Sequence, residues 1–253
     1  MSSQKLWISL IIFVPLFASL FSGPAAAGGT GPDAGMAAAS ACALGGAEID
    51  QALLPATRAE ALPDGYVPPD LVPLSSVGIP QRGYWEVRQV LITDLEAMVQ
   101  AAVTDRAQLW VASGYRSYQV QAQTHAYWVR LLGADAADRG SARPGHSQHQ
   151  LGTAIDFNLG SGFADSASGQ WLWDHAHEYG FVFPYTRASR SSSGYIFEPW
   201  HVRWIGRPLA GLMWAEGYQN SDDLNADDYV AAARSELVRA GFANACGLPG
   251  AAG

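Results

Sequence analysis

The stretch that decides the fold of this chain is Ser147-Gln-His-Gln-Leu-Gly-Thr-Ala-Ile-Asp156, and a second short segment, Glu198-Pro-Trp-His201, completes it. Two imidazoles and one carboxylate, from His149, Asp156 and His201, are what a catalytic zinc ion needs when a fourth position stays open. A nearby carboxylate such as Glu198 is what a hydrolase needs as its proton acceptor. The pattern is therefore typical of a zinc-dependent peptidase.

The residues after His149 predict a strand. Thr153 to Phe157 alternates as a strand does, with Ala154 and Asp156 on one face and Ile155 on the other. The small residues at positions 152 and 154 are expected to leave room for the backbone and a metal ion to approach closely. Asp156 would then project from the strand face that a metal ion could reach.

Pro199 separates the second carboxylate from the second histidine. It lacks a backbone donor and biases Glu198 towards an extended conformation. A kink there would let Glu198 and His201 face one point. Taken alone, these residues also allow a different interpretation, since a single histidine is more often a packed or surface residue than a metal ligand.

The N-terminus has the features of an export signal. Lys5 precedes an apolar run from Leu6 to Phe21, and Ala25-Ala-Ala27 fits the A-x-A cleavage pattern. The run is short for a membrane span, which needs roughly 20 apolar residues. We expect residues 1–27 to be a signal peptide or an uncleaved N-terminal anchor. In either case the catalytic part is exported, to the cell wall, the periplasm or the extracellular space.

Cys42 and Cys246 are the two cysteines of the chain, one near each end. In an exported protein, two isolated cysteines are more often paired than free, so a disulfide between them is a prediction. The alternative is two unpaired thiols in the terminal segments. The spacing does not suggest a metal site, because no third or fourth ligand accompanies either cysteine.

Composition argues against several classes of partner. The formal net charge is −8 and no Lys/Arg cluster is visible, so a nucleic-acid-binding role has little support. An acidic surface also disfavours broad adhesion to an anionic polymer or membrane. We expect no membrane contact beyond an N-terminal anchor, and an acidic substrate would have to be held by a few local cations.

The order of predicted elements indicates an α+β fold. Residues 28–83 read as a Gly/Ala-rich linker followed by a Pro-rich arm on the core, which could shape a binding cleft or merely tether it. Helices are predicted over Tyr84–Val103, from an N-cap at Ser117 to about Leu132, over Trp171–Tyr179 and over Asp227–Arg239, with a polar loop from Gly133 to His146. Strands are predicted at Gln108–Ala112, Thr153–Phe157, Phe181–Phe183, Tyr195–Glu198 and His201–Ile205.

Three ordered motifs carry a resemblance to a known family. The first metal segment has the pattern S-x-H-x-x-G-x-A-x-D, the second has E-x-x-H, and Ser113-Gly-Tyr-Arg116-Ser precedes both. Together they resemble the D-alanyl-D-alanine carboxypeptidases of VanY type, which belong to the zinc peptidases related to lysostaphin and to hedgehog signalling domains. The likeness runs from about Tyr84 to Gly206. It implies a small antiparallel sheet with flanking helices, in a zinc peptidase domain over 84–215 followed by a C-terminal helix and tail over 216–253.

The resemblance also implies roles for individual residues. It makes His149, Asp156 and His201 the ligands of one Zn²⁺ per chain and Glu198 the general base. Arg116 would meet negative charge, either an oxyanion or the terminal carboxylate of the substrate, because its guanidinium can bind a carboxylate through two hydrogen bonds. Substrate contacts are implied for Ser147 and Gln121, and a place in the cleft wall for Trp200. A surface ion pair is the alternative for Arg116, and a solvated helix position is the alternative for Gln121.

The implied activity is removal of the C-terminal D-alanine from the stem peptides of bacterial peptidoglycan. VanY-like enzymes remove the terminal residue either from a pentapeptide that ends in D-Ala-D-Ala or from a tetrapeptide whose last bond is L,D. The motifs do not distinguish these two activities. An endopeptidase that cuts cross-links is an alternative within the class. A non-catalytic zinc-containing module that binds the wall is the alternative from another class, although Glu198 and all three ligands are intact.

Overall fold

A computed structural model of the chain describes residues 52–220 and 230–231. The predicted signal peptide, the linker as far as residue 51, the Cys42–Cys246 pair and nearly all of the predicted helix over Asp227–Arg239 lie outside these residues. In the described part, no helix is both long and apolar enough to cross a membrane.

The described residues form two antiparallel sheets flanked by helices. The strands are β1 (Leu71–Pro73), β2 (Glu86–Arg88), β3 (Val111–Ser113), β4 (Ala154–Phe157), β5 (Phe181–Val182) and β6 (His201–Trp204). The helices are α1 (Ile92–Thr104), α2 (Tyr118–Leu132), α3 (Ala134–Gly140), α4 (Ala167–His175), α5 (Arg190–Ser193) and α6 (Arg207–Ala215). Strands β1 and β2 make a two-stranded ribbon, and the central sheet has the order β3-β4-β6-β5. This is the α+β architecture that the sequence predicts.

The central sheet has one apolar face and one polar face, set by the alternation of β4 and β6. Ile155 and Phe157 of β4 and Val202 of β6 are fully buried in the main hydrophobic cluster. Asp156 lies between the two apolar β4 residues, so it points to the opposite face, as the sequence predicts. His201 is its direct partner across the strands and therefore shares that face.

Helix α1 covers part of the main hydrophobic cluster. Its buried side chains recur at the spacing of one helix face and are Leu95, Met98, Val99 and Ala102. At its N-terminal end, Asp94 accepts a hydrogen bond from the indole of Trp204 in β6 at 2.8 Å. The helix is thereby fixed to the same strand that carries His201.

The segment before residue 84 packs on the body of the protein. Leu53, Ala56 and Leu62 are buried. Arg203 of β6, itself fully buried, donates to the backbone carbonyl of Leu54 at 2.9 Å. This Pro-rich arm is therefore held through buried contacts in addition to its chain connection.

The ribbon β1–β2 corrects one prediction. The apolar spacing of Val87, Val90 and Leu91 fits a helix, but the predicted helix over Tyr84–Val103 begins only at Ile92. Glu86 to Arg88 instead pairs with β1. The helical spacing of the apolar residues holds only from Ile92 onwards. Before it, pairing with β1, which lies some fifteen residues earlier in the chain, determines the local structure.

Several other elements also differ from the sequence-based prediction. The helix predicted over Trp171–Tyr179 is α4, which begins four residues earlier and gives way to a 3₁₀ turn at Ala176. The predicted polar loop from Gly133 to His146 contains the short helix α3, and the predicted strand at Tyr195–Glu198 forms no ladder. The predicted strand at Gln108–Ala112 is shifted to β3. Helix α2 has the predicted N-cap, since the Ser117 hydroxyl accepts a hydrogen bond from the backbone N–H of Val120 at 3.3 Å.

Candidate active site

Three buried side chains converge on the polar face of the central sheet. Asp156 of β4 lies directly opposite His201 of β6. His149 lies on the 3₁₀ turn Gln148–Leu151, which leads into β4. One ligand atom of each residue lies within 4.8 Å of the other two. The structure thus brings together the three residues that the sequence predicts as metal ligands.

The spacing of these atoms fits a zinc ion. His149 Nε2 lies 3.3 Å from one Asp156 carboxylate oxygen, and His201 Nδ1 lies 2.9 Å from the other. Ligands that bind zinc tetrahedrally at the usual bond lengths are separated by roughly 3.4 Å. Two imidazoles and one carboxylate are also the donor types of catalytic zinc sites that leave a position open. The donor set therefore matches Zn²⁺ in chemistry, and its ligand atoms are grouped closely enough to hold one ion.

The ring nitrogens that face away from the cluster are also bound. His149 Nδ1 lies 2.8 Å from the carbonyl oxygen of Gly114, which can only accept, so Nδ1 carries a proton and Nε2 is the nitrogen that faces the cluster. His201 Nε2 lies 3.1 Å from Oε1 of Gln148, which leaves Nδ1 towards Asp156. The ring of Tyr185 stacks on that of His201 with centroids 5.0 Å apart. Such outer contacts hold metal-binding rings in one orientation.

Gly152 ends the turn that carries His149, and its role differs from the predicted one. Its φ is 70°, a left-handed conformation that favours glycine. A Cβ at this position would lie 2.9 Å from Cγ of Arg88 and 3.2 Å from Cδ2 of Leu71. The missing side chain therefore makes room for the β1–β2 ribbon, and the prediction that it makes room for the metal is wrong.

Glu198 reaches the cluster through a turn. The backbone N–H of His201 donates to the carbonyl of Glu198 at 3.2 Å, and that of Glu198 donates to the carbonyl of Tyr185 at 3.1 Å. This geometry confirms the predicted kink at Pro199. A Glu198 carboxylate oxygen lies 4.0 Å from His201 Nδ1, and the side chain is 14% exposed.

The pKa values of the two carboxylates in the site are shifted in opposite directions. Burial, and then repulsion by Asp156, raises the pKa of Glu198 well above its ordinary value, although Arg116 partly offsets this. Burial also acts to raise the pKa of Asp156, but the charges and hydrogen bonds of His149 and His201 outweigh it and hold that pKa far below its ordinary value. One carboxylate thus binds protons weakly and suits a ligand, and the other binds them more strongly and suits proton transfer.

Arg116 is fixed beside the cluster by two side chains. Its guanidinium donates to Oε1 of Gln121 at 2.9 Å and to the hydroxyl of Ser113 at 3.0 Å. Burial lowers the pKa of Arg116, while Asp156 and Glu198 act to raise it. Gln121 is itself buried and donates to the carbonyl of Ala142 at 2.6 Å. It is therefore not a solvated helix residue, and its visible role is to orient Arg116.

All the predicted site residues line one cleft of about 210 Å³. The cleft is bordered by Arg116, Gln121, Ser147, His149, Asp156, Glu198, Trp200 and His201. Ser147 is buried at 3% exposure, and no hydrogen-bond partner of its hydroxyl is recorded among residues 52–220. Trp200 is partly buried and packs against the hydrophobic core. Ser147 is thus free to meet a substrate, and Trp200 forms part of the wall.

Sequence reasoning missed the residues that orient the site. Gln148 lies within the quoted motif, and its position next to His149 gives no sign that its amide reaches His201. Gly114 contributes only a backbone carbonyl, which no side-chain pattern can indicate. Ser113 and Tyr185 come from other segments, although Ser113 begins the Arg116 motif.

Comparison with known proteins identifies the family. Residues 85–207 match the VanY family of D-alanyl-D-alanine carboxypeptidases. The chain is 33% identical over 180 residues to the putative carboxypeptidase YodJ of Bacillus subtilis strain 168, an alignment that covers 67% of this chain and 63% of YodJ. It thus spans less than two thirds of the length of that relative.

Solved structures give the same answer. One similar structure is that of the LD-carboxypeptidase LdcB, which was described in terms of how LdcB recognises peptidoglycan. The two chains are 30% identical, with a TM-score of 0.63, and the match covers 73% of this chain and 87% of LdcB. A Zn(II) complex of the D,D-pentapeptidase VanY from a VanB-type resistance cassette is 26% identical with a TM-score of 0.59, covering 71% of this chain and 99% of that one. That relative binds Zn(II), and the donor set described above fits the same metal. The chain belongs to the VanY family of zinc-dependent D-alanyl-D-alanine carboxypeptidases.

Proposed function

We propose that this protein removes the C-terminal D-alanine from peptidoglycan stem peptides. The observation that carries the proposal is the state of Glu198. Its carboxylate lies next to the three metal ligands and is only 14% exposed, and the described residues provide it with no hydrogen-bond partner. A carboxylate held in this way is available to accept and return a proton.

The chemistry divides between the metal and the side chains. Zinc supplies Lewis acidity, which polarises the scissile carbonyl and makes water acidic enough to lose a proton near neutral pH. Glu198 would take that proton on a carboxylate oxygen and later give it to the leaving amine. Its raised pKa favours the second step, because a stronger base is easier to keep protonated until the C–N bond breaks.

Arg116 would bind the negative charge of the substrate. Two of its nitrogens are held by Gln121 and Ser113, so the guanidinium has a fixed orientation in the cleft. A fixed guanidinium binds a carboxylate with little loss of side-chain freedom. The terminal carboxylate of the peptide is the group that distinguishes a carboxypeptidase substrate, and Arg116 is a partly buried cation in the same cleft as the metal ligands. Ser147 would donate a further hydrogen bond to the substrate.

Both stereochemical types of substrate are compatible with the family, whose members include D,D- and L,D-carboxypeptidases. We favour carboxypeptidase activity over endopeptidase activity because the cleft is small and contains a partly buried arginine suited to a chain end. A non-catalytic wall-binding module would have no need for a buried carboxylate beside the ligands.

A digest of defined peptides tests the proposal. The zinc-loaded full chain is incubated with a stem pentapeptide, a tetrapeptide and a cross-linked dimer, and the products are weighed by mass spectrometry. We expect loss of one alanine from the pentapeptide or the tetrapeptide, and no loss after treatment with a zinc chelator. Separation of the dimer into monomers would indicate the endopeptidase, and unchanged peptides would indicate the binding module.

We further propose that the protein is exported and acts on the cell wall. The sequence of residues 1–27 supports a cleaved leader, and N-terminal sequencing of secreted protein tests it, since a retained Met1 contradicts cleavage. We also propose a disulfide between Cys42 and Cys246. Thiol titration under non-reducing conditions tests it, because two free thiols would rule the bond out.

A further inference from the structure

A second cavity of about 120 Å³ adjoins the catalytic cleft. It is lined by Arg58, Asp138, Arg143, His146 and Tyr195, and we call it the cationic recess. Its two guanidiniums and one carboxylate leave one positive charge. This charge is local, since the chain as a whole carries a net charge of −8.

The cationic recess and the catalytic cleft share a wall. Tyr195 lines both cavities. Its ring lies 4.6 Å from that of Tyr185, which stacks on His201. The segment from residue 141 to residue 147 also lines both cavities. Its two ends border the cleft, and Arg143 and His146 between them border the recess. A ligand could therefore occupy both cavities at once.

Arg58 is brought to the recess by the Pro-rich arm. The preceding residue, Thr57, closes a turn by accepting the backbone N–H of Glu60 on its hydroxyl at 3.0 Å. Nη1 of Arg58 donates to the carbonyl of Gly194 at 2.9 Å, and the guanidinium lies 5.7 Å from the centre of the Tyr195 ring. Its Nε and Nη2 have no recorded partner in the described part of the chain. Arg58 is thus held in place with donors to spare.

The negative charge in the recess is already paired. Arg143 binds both oxygens of Asp138: its Nε donates to Oδ1 at 3.3 Å and its Nη2 donates to Oδ2. His125 Nε2 also lies 3.3 Å from Oδ1 of Asp138. The hydrogen bond from Arg143 holds the pKa of Asp138 below its ordinary value, so the carboxylate stays charged. Asp138 and Arg143 therefore largely neutralise each other, and Arg58 provides the excess positive charge.

His146 ties the recess to the Pro-rich arm. Its Nδ1 donates to the carbonyl oxygen of Thr57, the residue before Arg58, at 2.8 Å. This contact and the bond from Arg58 to Gly194 hold the guanidinium of Arg58 at the recess. The spare donors of Arg58 match an anion better than a neutral group.

We propose that the cationic recess binds a carboxylate carried by the substrate peptide on the N-terminal side of the scissile bond. This inference rests on the proposed function, which places the peptide end beside Arg116 and the metal ligands. The rest of the peptide must leave the cleft, and the recess is an adjoining cavity in which an arginine has spare donors. A carboxylate suits it because a guanidinium can bind both oxygens.

The test compares two stem pentapeptides that differ at one group. Both end in D-alanine, and the second residue carries either a free carboxylate or the corresponding carboxamide. With zinc-loaded full chain we expect kcat/KM to be about ten-fold higher for the acid, the scale of one charge-assisted hydrogen bond. In Arg58→Gln the ratio should fall to about one, and Arg58→Lys should keep part of it. Arg106→Gln, at an exposed arginine that lines neither cavity, should keep the full ratio.

Binding of the same peptides to zinc-loaded protein carrying Glu198→Gln, measured by calorimetry, separates this inference from the proposed function. Turnover of both peptides at equal kcat/KM overturns the recess assignment and leaves the proposed function standing. Absence of turnover together with a ten-fold preference in binding overturns the proposed function and supports the recess. Peptides that neither bind nor react overturn both. A ratio that falls equally in Arg58→Gln and Arg106→Gln also overturns the recess assignment, since net charge alone would then explain it.

Discussion

The two faces of the β4–β6 strand pair are formed by alternating residues of the same strands and have different roles. On one face Ile155, Phe157 and Val202 are fully buried against helix α1. On the other face Asp156 and His201 are also buried, but each is bound to other polar groups. Burial stabilises the first face directly, whereas the second face is tolerated because its polar atoms are paired.

Glu198 differs from these paired residues because its carboxylate accepts no hydrogen bond from the described residues. Asp156 accepts hydrogen bonds from a histidine and faces a second one, and its pKa is held down. Glu198 is similarly buried, but the described residues give its carboxylate no such bond, and its pKa is raised. The apolar face should therefore determine stability, and the polar face should determine metal binding and rate. Four experiments can break or sharpen this contrast.

The largest effect is expected for Glu198→Gln on rate. Removing the proton acceptor should lower kcat for D-alanine release by about 10³-fold. Zinc content should stay at one ion per chain, because the three ligands remain. The measurements are steady-state kinetics and metal analysis of the purified variant. A variant that keeps a tenth or more of the wild-type rate would remove Glu198 from this role.

On the apolar face, Phe157→Ala should lower the free energy of unfolding by about 3–5 kcal/mol, because a fully buried ring leaves a cavity. Urea denaturation of the zinc-loaded protein measures it. Ile155→Val, in the same strand, is the milder control, with an expected loss of about 1 kcal/mol. If the two variants were equally stable, the apolar face would not have the energetic role assigned to it.

Gln148→Ala should weaken zinc binding without removing a ligand. Loss of the contact to Nε2 of His201 frees the ring to rotate, and such outer contacts are worth about 10–100-fold in affinity. Competition with a chelator gives the dissociation constant. The matched control is Gln150→Ala, since Gln150 is equally buried on the same turn but binds the carbonyl of Tyr66. Equal weakening in both variants would point to a general loosening of the turn.

The smallest effect is expected in the stability of the metal-free protein as a function of pH. Because burial raises the pKa of Glu198 in the folded state, the unfolded chain loses this proton first as pH rises above about 4.5. Stability should therefore fall from there towards the raised folded value and then level off. Glu198→Gln should remove this fall and be more stable at pH 8 by about 1–2 kcal/mol.

Denaturant unfolding of chelator-treated wild type and Glu198→Gln at pH 5 and pH 8 measures this. The difference between the two proteins isolates Glu198, because Asp156 is common to both and acts in the opposite direction. A variant whose advantage does not grow with pH would contradict the raised pKa.

How far the sequence predicts this molecule depends on the range of the interactions involved. The strand β4 and the N-cap of α2 follow from patterns within ten residues, and these predictions are confirmed. The two short motifs that suggest the metal ligands also place His149, Asp156 and His201 together in the structure. The start of α1 was predicted wrongly because Val87 and its neighbours are paired with β1, and nothing local indicates that ladder.

Helix α3 shows the same limit. Its sequence is short and polar, with a single buried residue, Ala137. It is stabilised by contacts elsewhere, such as the hydrogen bond from the backbone N–H of Ile196 to the carbonyl of Arg139 at 2.9 Å. The cationic recess could not be predicted either, because Arg58 and Arg143 are far apart in sequence and meet only through the packing of the arm.

The pairing of Asp156 opposite His201 has a consequence for how descendants of this gene can change in length. An inserted or deleted codon inside either strand would exchange inward and outward side chains beyond it, placing a carboxylate among hydrocarbon groups and a ring of carbon atoms where the cation belongs. Such lineages should be lost, while additions to the connecting turns survive. Length variation among living relatives should therefore spare these eight positions and accumulate between them.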